Sequence, residues 1–167
     1  MAVFDGEIYN SIIDEVANIL TECKEQIQSN MAAKGINASG RTSDGFMVER
    51  YESGVRLVLK GQQIAPLYTL ETGRGGGGVP MGFTAINEQW SRDKGLQFAS
   101  DQDRRRFAFL AARKIAREGT QRNKLPEDVY SEPVNETLAK MRKTVKASVS
   151  QYVRYIAMGA KTHYKNT

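Results

Sequence analysis

Chemistry at neutral pH needs nucleophiles, proton carriers or metal ligands, and this sequence offers few: one histidine, His163, and one cysteine, Cys23. A triad-type nucleophile needs a base in contact with it, and the usual base is histidine. His163 stands in the polar run Thr162-His163-Tyr164-Lys165, which reads as part of a frayed tail over residues 159–167. A lone cysteine excludes an intramolecular disulfide and a multi-cysteine zinc or iron–sulfur site. Cys23 falls on the apolar stripe of a predicted helix, so we expect it buried and inert. Paired carboxylates can move protons without histidine, but Asp14-Glu15, Glu22 with Glu25, and Asp101 with Asp103 lie on predicted helix faces or ends, where solvation or capping accounts for them. These residues point away from an enzyme and call for no cofactor, metal or small-molecule substrate.

The glycine run Gly73-Arg74-Gly75-Gly76-Gly77-Gly78 formally satisfies the GxGxxG pattern that lets a backbone approach a pyrophosphate. Five glycines in six residues satisfy many patterns. A dinucleotide fingerprint should also open directly into a helix, whereas Val79-Pro80-Met81-Gly82 intervene and no βαβ alternation follows. No Lys-Ser/Thr pair follows for a phosphate-binding P-loop. A mobile or interface loop is the better expectation, with Glu71, Thr72, Gly73, Arg74, Gly75, Gly76, Gly77, Gly78 and Pro80 as its docking residues. Glu71 and Arg74 flank its start, either as solvated charges or as a charged pair of the kind a ring contact uses.

The formal charge of +5 implies attraction to something acidic: nucleic acid, a membrane surface or a partner's carboxylates. Arg104, Arg105, Arg106, Arg113, Lys114 and Arg117 are the candidate DNA- or partner-facing residues, with a further basic group at Lys140, Arg142, Lys143 and Lys146. Three consecutive arginines splay around a helix and form no single patch, and interspersed acids make a solvated, salt-bridged face the plainer expectation. No basic strand interleaved with aromatics offers a stacking platform for single strands.

The elements that must position these residues read as follows. From Glu7 to about Lys34, Ile8, Ile12, Val16, Ile19, Leu20, Cys23, Ile27 and Met31 recur every three or four residues, predicting a long amphipathic helix ended by Gly35. Asn37–Gly45 reads as a loop. Phe46–Glu52 and Val55–Lys60 read as a hairpin around Ser53-Gly54, with Val55, Leu57 and Leu59 on one face. Ile64–Thr72 is short, apolar and interrupted by Pro66, and its type stays open. Phe83, Ile86 and Trp90 predict a second helix, with Thr84 as N-cap and Trp90 in the core. Asp101–Glu118 predicts a third, with a stripe of Phe107, Leu110, Ala111, Lys114 and Ile115, closed by Gly119. Gln121–Pro133 reads as a polar connector. Val134, Leu138, Met141, Val145, Val149, Tyr152 and Ile156 outline a fourth helix to about Met158.

With 167 residues and no apolar run of membrane-spanning length, we expect one α+β domain over 1–167: a small antiparallel sheet, the hairpin 46–60, packed with long N- and C-terminal helices and two more between them. The N-terminal sequence carries no secretory pattern, so folding in the cytoplasm is expected.

A long N-terminal helix is followed by Ser39-Gly40-Arg41, a hairpin, and Leu70-Glu71-Thr72-Gly73-Arg74 with glycines and a proline. This order of parts resembles the tail-completion or head–tail connector (neck) proteins of tailed bacteriophages. The likeness extends to Ile86…Trp90…Lys94-Gly95, to an Ala-rich helix ending Ile115-Ala116-Arg117-Glu118-Gly119-Thr120, and to Asp128-Val129-Tyr130-Ser131 before a C-terminal helix, so it covers most of the chain. This resemblance implies a virion component without enzymatic activity, forming a ring with copies of itself between the capsid portal and the tail. Its implied partners are portal-adaptor or connector proteins and tail-tube or tail-terminator proteins, with contact to packaged DNA open. Its implied location is the virion neck, reached from the host cytoplasm during assembly. The chain departs from that family in having four consecutive glycines where a proline-containing Gly-Arg loop is usual. Nonspecific binding of nucleic acid by a basic protein is the alternative, and a nucleotide-dependent enzyme rests on the glycine run alone.

Overall fold

The computed structural model describes residues 6–36, 39–60, 69, 71–120 and 129–164. The described elements are α1 (Gly6–Ala33), α2 (Arg41–Asp44), the two-stranded hairpin β1 (Phe46–Tyr51) and β2 (Gly54–Leu59), α3 (Phe83–Asp93), α4 (Asp101–Glu118) and α5 (Ser131–Tyr164). This is the expected α+β class, mostly helical with one small sheet. The chain divides into two compact units, Met1–Gln26 with Met47–Val58 and Tyr130–Thr167, and Ile27–Phe46 with Leu59–Val129.

In the first unit, α1 and α5 run antiparallel. Ile8, Ser11 and Ile12 line one groove with Ser148, Gln151, Tyr152 and Tyr155, while Ile19, Glu22, Cys23 and Gln26 line another with Pro133, Glu136, Thr137 and Lys140. The apolar period of α1 is realised as read: Val16, Ile19, Leu20 and Cys23 are buried, together with Ala17. Surface ion pairs tie the neighbouring elements to α1, Asp14 to Arg50 of β1 at 2.5 Å and Glu22 to Lys140 of α5. Across the hairpin, Arg56 pairs with Glu49 at 3.1 Å and its guanidinium stacks over Tyr51. The predicted alternation is incomplete, because Val58 is half-buried along with Val55 and Leu57.

Helix α5 begins at Ser131, inside the segment expected to be a connector. Pro133 is accommodated because the first turn of a helix has no amide partners to lose. The helix runs on to Tyr164, beyond the predicted end at Met158, and its backbone takes in His163.

The second unit is built around the end of α1, where Ile27 and Met31 are almost fully buried. Gly35, at φ 61°, closes α1: its N–H donates to Ala32 O and that of Ile36 to Met31 O, satisfying carbonyls that a helix end otherwise leaves open. Gly95, at φ 68°, ends α3 by the same pair of bonds, to Arg92 O and from Leu96 N–H to Ser91 O. The expected loop 37–45 instead contains the helical turn α2, preceded by Gly40 in the left-handed region. Its Ser43 is buried and gives its carbonyl to Gln28 Nε2 of α1 at 2.8 Å, a long-range bond that local turn propensity does not reveal.

Helices α3 and α4 pack through small residues. Ser91 and Ala108 are fully buried and Ala112 nearly so, which lets the two backbones approach closely. The expected stripes are therefore displaced. On α3 the N-cap is Gly82 rather than Thr84, and Ile86 and Trp90 are 55% and 42% exposed rather than core. On α4, Leu110 is 53% exposed and Lys114 points outward, while Phe107, Ala111 and Ile115 stay half-buried. The long side chains lost the inside positions because only small ones fit where the helices cross.

Candidate functional site

The glycine run is held in place by the end of α4. Arg74 and Thr120 form an antiparallel bridge, each N–H donating to the other's carbonyl at 2.9 Å. Gly77 N–H donates to Ala116 O at 2.7 Å, and the Arg74 guanidinium donates to Gly78 O within the same loop. The approach is close enough to require glycine: a Cβ on Gly76 would lie 2.5 Å from Arg117 O, and one on Gly119 would overlap Arg74 O. Gly119 also has φ 77° with ψ −168°, a region essentially reserved for glycine. Gly75 and Gly78 face open space. The loop expected to be mobile or at an interface is thus bonded to α4 as a cap on its carbonyl end, satisfying groups that helix would leave unpaired. Of the predicted docking residues, Thr72, Gly75, Gly76, Gly77, Gly78 and Pro80 are exposed, and Glu71, Gly73 and Arg74 are half-buried. Arg74 donates its guanidinium to Gly78 O and exchanges its backbone hydrogen bonds with Thr120.

The candidate basic residues separate by position. Arg104 lies inward: its side chain is 17% exposed, its guanidinium sits 5.0 Å from the centroid of Phe98, Nη1 donates to Ser91 Oγ at 3.4 Å, and Asp101 stands 3.8 Å from Nε. Phe98 in turn packs on Phe107 with ring centroids 5.2 Å apart. Arg104 therefore packs between α3 and α4, leaving little of its side chain at the surface. Arg105 is exposed and approaches Glu88 at 4.0 Å, and Glu88 also holds Arg92 at 2.6 Å. Arg106, Arg113, Lys114 and Arg117 are exposed. Arg117 pairs with Glu118 at 2.5 Å, and this hydrogen bond, with the nearby charges of Arg117 and Lys114, holds the Glu118 carboxyl below its ordinary range.

A relationship that consecutive arginines obscure is the row Arg106, Leu110, Arg113, Arg117, standing at i, i+4, i+7 and i+11 on the outward side of α4. Counting that interval in the sequence finds it; grouping neighbours in the sequence does not. The macrodipole arrangement on α4 is as read, with Ser100 Oγ capping Asp103 N at 3.1 Å and Asp101 and Asp103 in the first turn.

Among the described residues, no group of three or more His, Cys, Asp or Glu is placed to hold a metal ion, and no helix is long and apolar enough to cross a membrane. Cys23 is buried, as its stripe position requires. Comparison with protein-family models, curated proteins and solved structures finds no significant match to this chain.

Proposed function

We propose that this chain is a non-enzymatic structural subunit of a tailed-bacteriophage neck, assembling with its own copies into a ring that joins the capsid portal to the tail. The observation that carries an assembly role is the mismatch on α5 between its apolar stripe and its covered face. Pro133, Val134, Thr137, Met141, Thr144, Ser148, Val149 and Tyr152 are covered or half-covered, whereas Leu138, Val145, Val153 and Ile156 are exposed. Several apolar side chains left in water on one helix are a recurrent mark of a protein interface. The assignment to a phage neck rests on the resemblance in the order of parts. The loop Glu71–Pro80 supports a docking role in a specific way: bonded to α4, it presents Gly75–Gly78 without having to be ordered first, which lowers the entropic cost of association.

The test is imaging of the purified protein across a concentration series, with mass spectrometry of purified particles. Rings in the first and the chain among particle components in the second are the expected results. A freestanding monomer absent from particles sinks the proposal, and a monomer that binds duplex DNA tightly with a steep salt dependence favours the nucleic-acid alternative.

A further inference from the structure

We infer that the outward row of α4 docks against the acidic side of α1 in a second copy of this chain; the inference rests on the ring-subunit proposal and names the contact that would close the ring. Arg106, Leu110, Arg113 and Arg117 share one exposed side of α4, with exposed Phe109 beside them. At 1.5 Å per residue the row spans about 16 Å. No carboxylate interrupts it: Asp103 is engaged by Ser100 at the start of the helix and Glu118 by Arg117 at its end. Arg106 and Arg113 have no ion-pair partner among the described residues. Like charges on successive turns repel, and an acidic partner relieves that repulsion.

Arginines around exposed apolar side chains match the composition of protein interfaces, where aromatic residues and arginine are enriched. Duplex phosphates would neutralise the arginines but leave Leu110 and Phe109 uncovered. The observations therefore favour a protein surface with carboxylates, and the chain itself has one. Asp14, Glu15, Glu22 and Glu25 are all exposed on α1. Asp14 and Glu25 repeat the i, i+11 interval of Arg106 and Arg117, so carboxylates and guanidiniums recur over the same three turns. Glu15 and Glu25 have no ion-pair partner among the described residues. The pairs that engage Asp14 and Glu22 are solvent-exposed, a class that contributes little and exchanges readily. The two faces are different and mutually complementary, which makes the contact heterologous, the type that closes into a ring when its rotation allows. Opposite charge supplies orientation and rejects pairing of like faces.

Two variants test this: Arg106→Glu with Arg113→Glu on α4, and Glu15→Lys with Glu25→Lys on α1, each checked for retained helicity by circular dichroism. Native mass spectrometry and light scattering should show the wild-type oligomer weakening as salt rises and each variant associating more than about tenfold less tightly. Mixing the two variants should restore oligomers of alternating composition, because the acidic α4 of one meets the basic α1 of the other, and the reverse. Misfolding alone cannot produce that rescue. Variants that assemble as the wild type does overturn the inference while leaving the ring-subunit proposal standing. A wild-type chain that stays monomeric overturns both. Duplex DNA binding abolished by the α4 variant, with assembly unchanged, also overturns it and assigns the row to nucleic acid.

Discussion

Arg74 and Thr120 exchange both of their backbone hydrogen bonds, at 2.9 Å each, so the start of the glycine run and the residue beyond α4 form one structural unit. Everything between Gly75 and Gly78 hangs from that bridge and from the Gly77–Ala116 bond.

The glycines of this region are consequently unequal. Gly119→Ala should destabilise the protein by at least about 1–3 kcal/mol, because φ 77° is strained for any side chain and the new Cβ meets Arg74 O. Gly75→Ala, with open space and no positive φ, should be neutral or stabilise slightly. Urea denaturation midpoints of the two variants provide the comparison, and equal effects would contradict the cap.

The crossing of α3 and α4 depends on small side chains. Ala108→Leu adds bulk to a fully buried position and should cost about 1–3 kcal/mol. Leu110→Ala removes an exposed side chain and should change stability by no more than about 0.5 kcal/mol. A larger loss at Leu110 than at Ala108 would mean that the stripe read from the sequence, not the observed one, faces inward.

Arg104 and Arg106 differ by two positions and by role. Arg104→Ala removes a guanidinium stacked on Phe98 and bonded to Ser91, and about 1–2 kcal/mol of stability should go with it. Arg106→Ala, at an exposed position, should leave the thermal midpoint unchanged. Calorimetry at low protein concentration separates the two.

Glu118 should titrate below an ordinary glutamate, chiefly through its hydrogen bond with Arg117; desolvation opposes this, and the charges of Arg117 and Lys114 add lesser lowering. A lowered folded-state value means the interaction is present above the usual carboxylate range and is lost as pH falls through the lowered value. A carboxyl-detected NMR titration should show this, and Arg117→Ala should move the Glu118 midpoint upward. An unmoved midpoint would assign the shift to another cause.

The recurrence of Val16, Ile19, Leu20, Cys23, Ile27 and Met31 was enough to define α1 and its inner face, and Gly35 to end it, because a helix face and a left-handed cap are local properties. The hairpin, the charge order of α4 and the burial of Cys23 were legible for the same reason. Trp90 and Leu110 were not: hydrophobicity says that a side chain favours burial, while the space where two helices cross decides which ones obtain it, and here Ser91 and Ala108 occupied that space. The sequence by itself determined the four long helices and the hairpin, though not the turn α2 or the ends of α5, and that the net charge is positive. Only the tertiary structure decided that the glycine run caps α4, that Arg104 turns inward and that the α4 row from Arg106 to Arg117 remains outside, since each depends on groups far apart in the chain meeting at hydrogen-bonding distance or failing to meet at all.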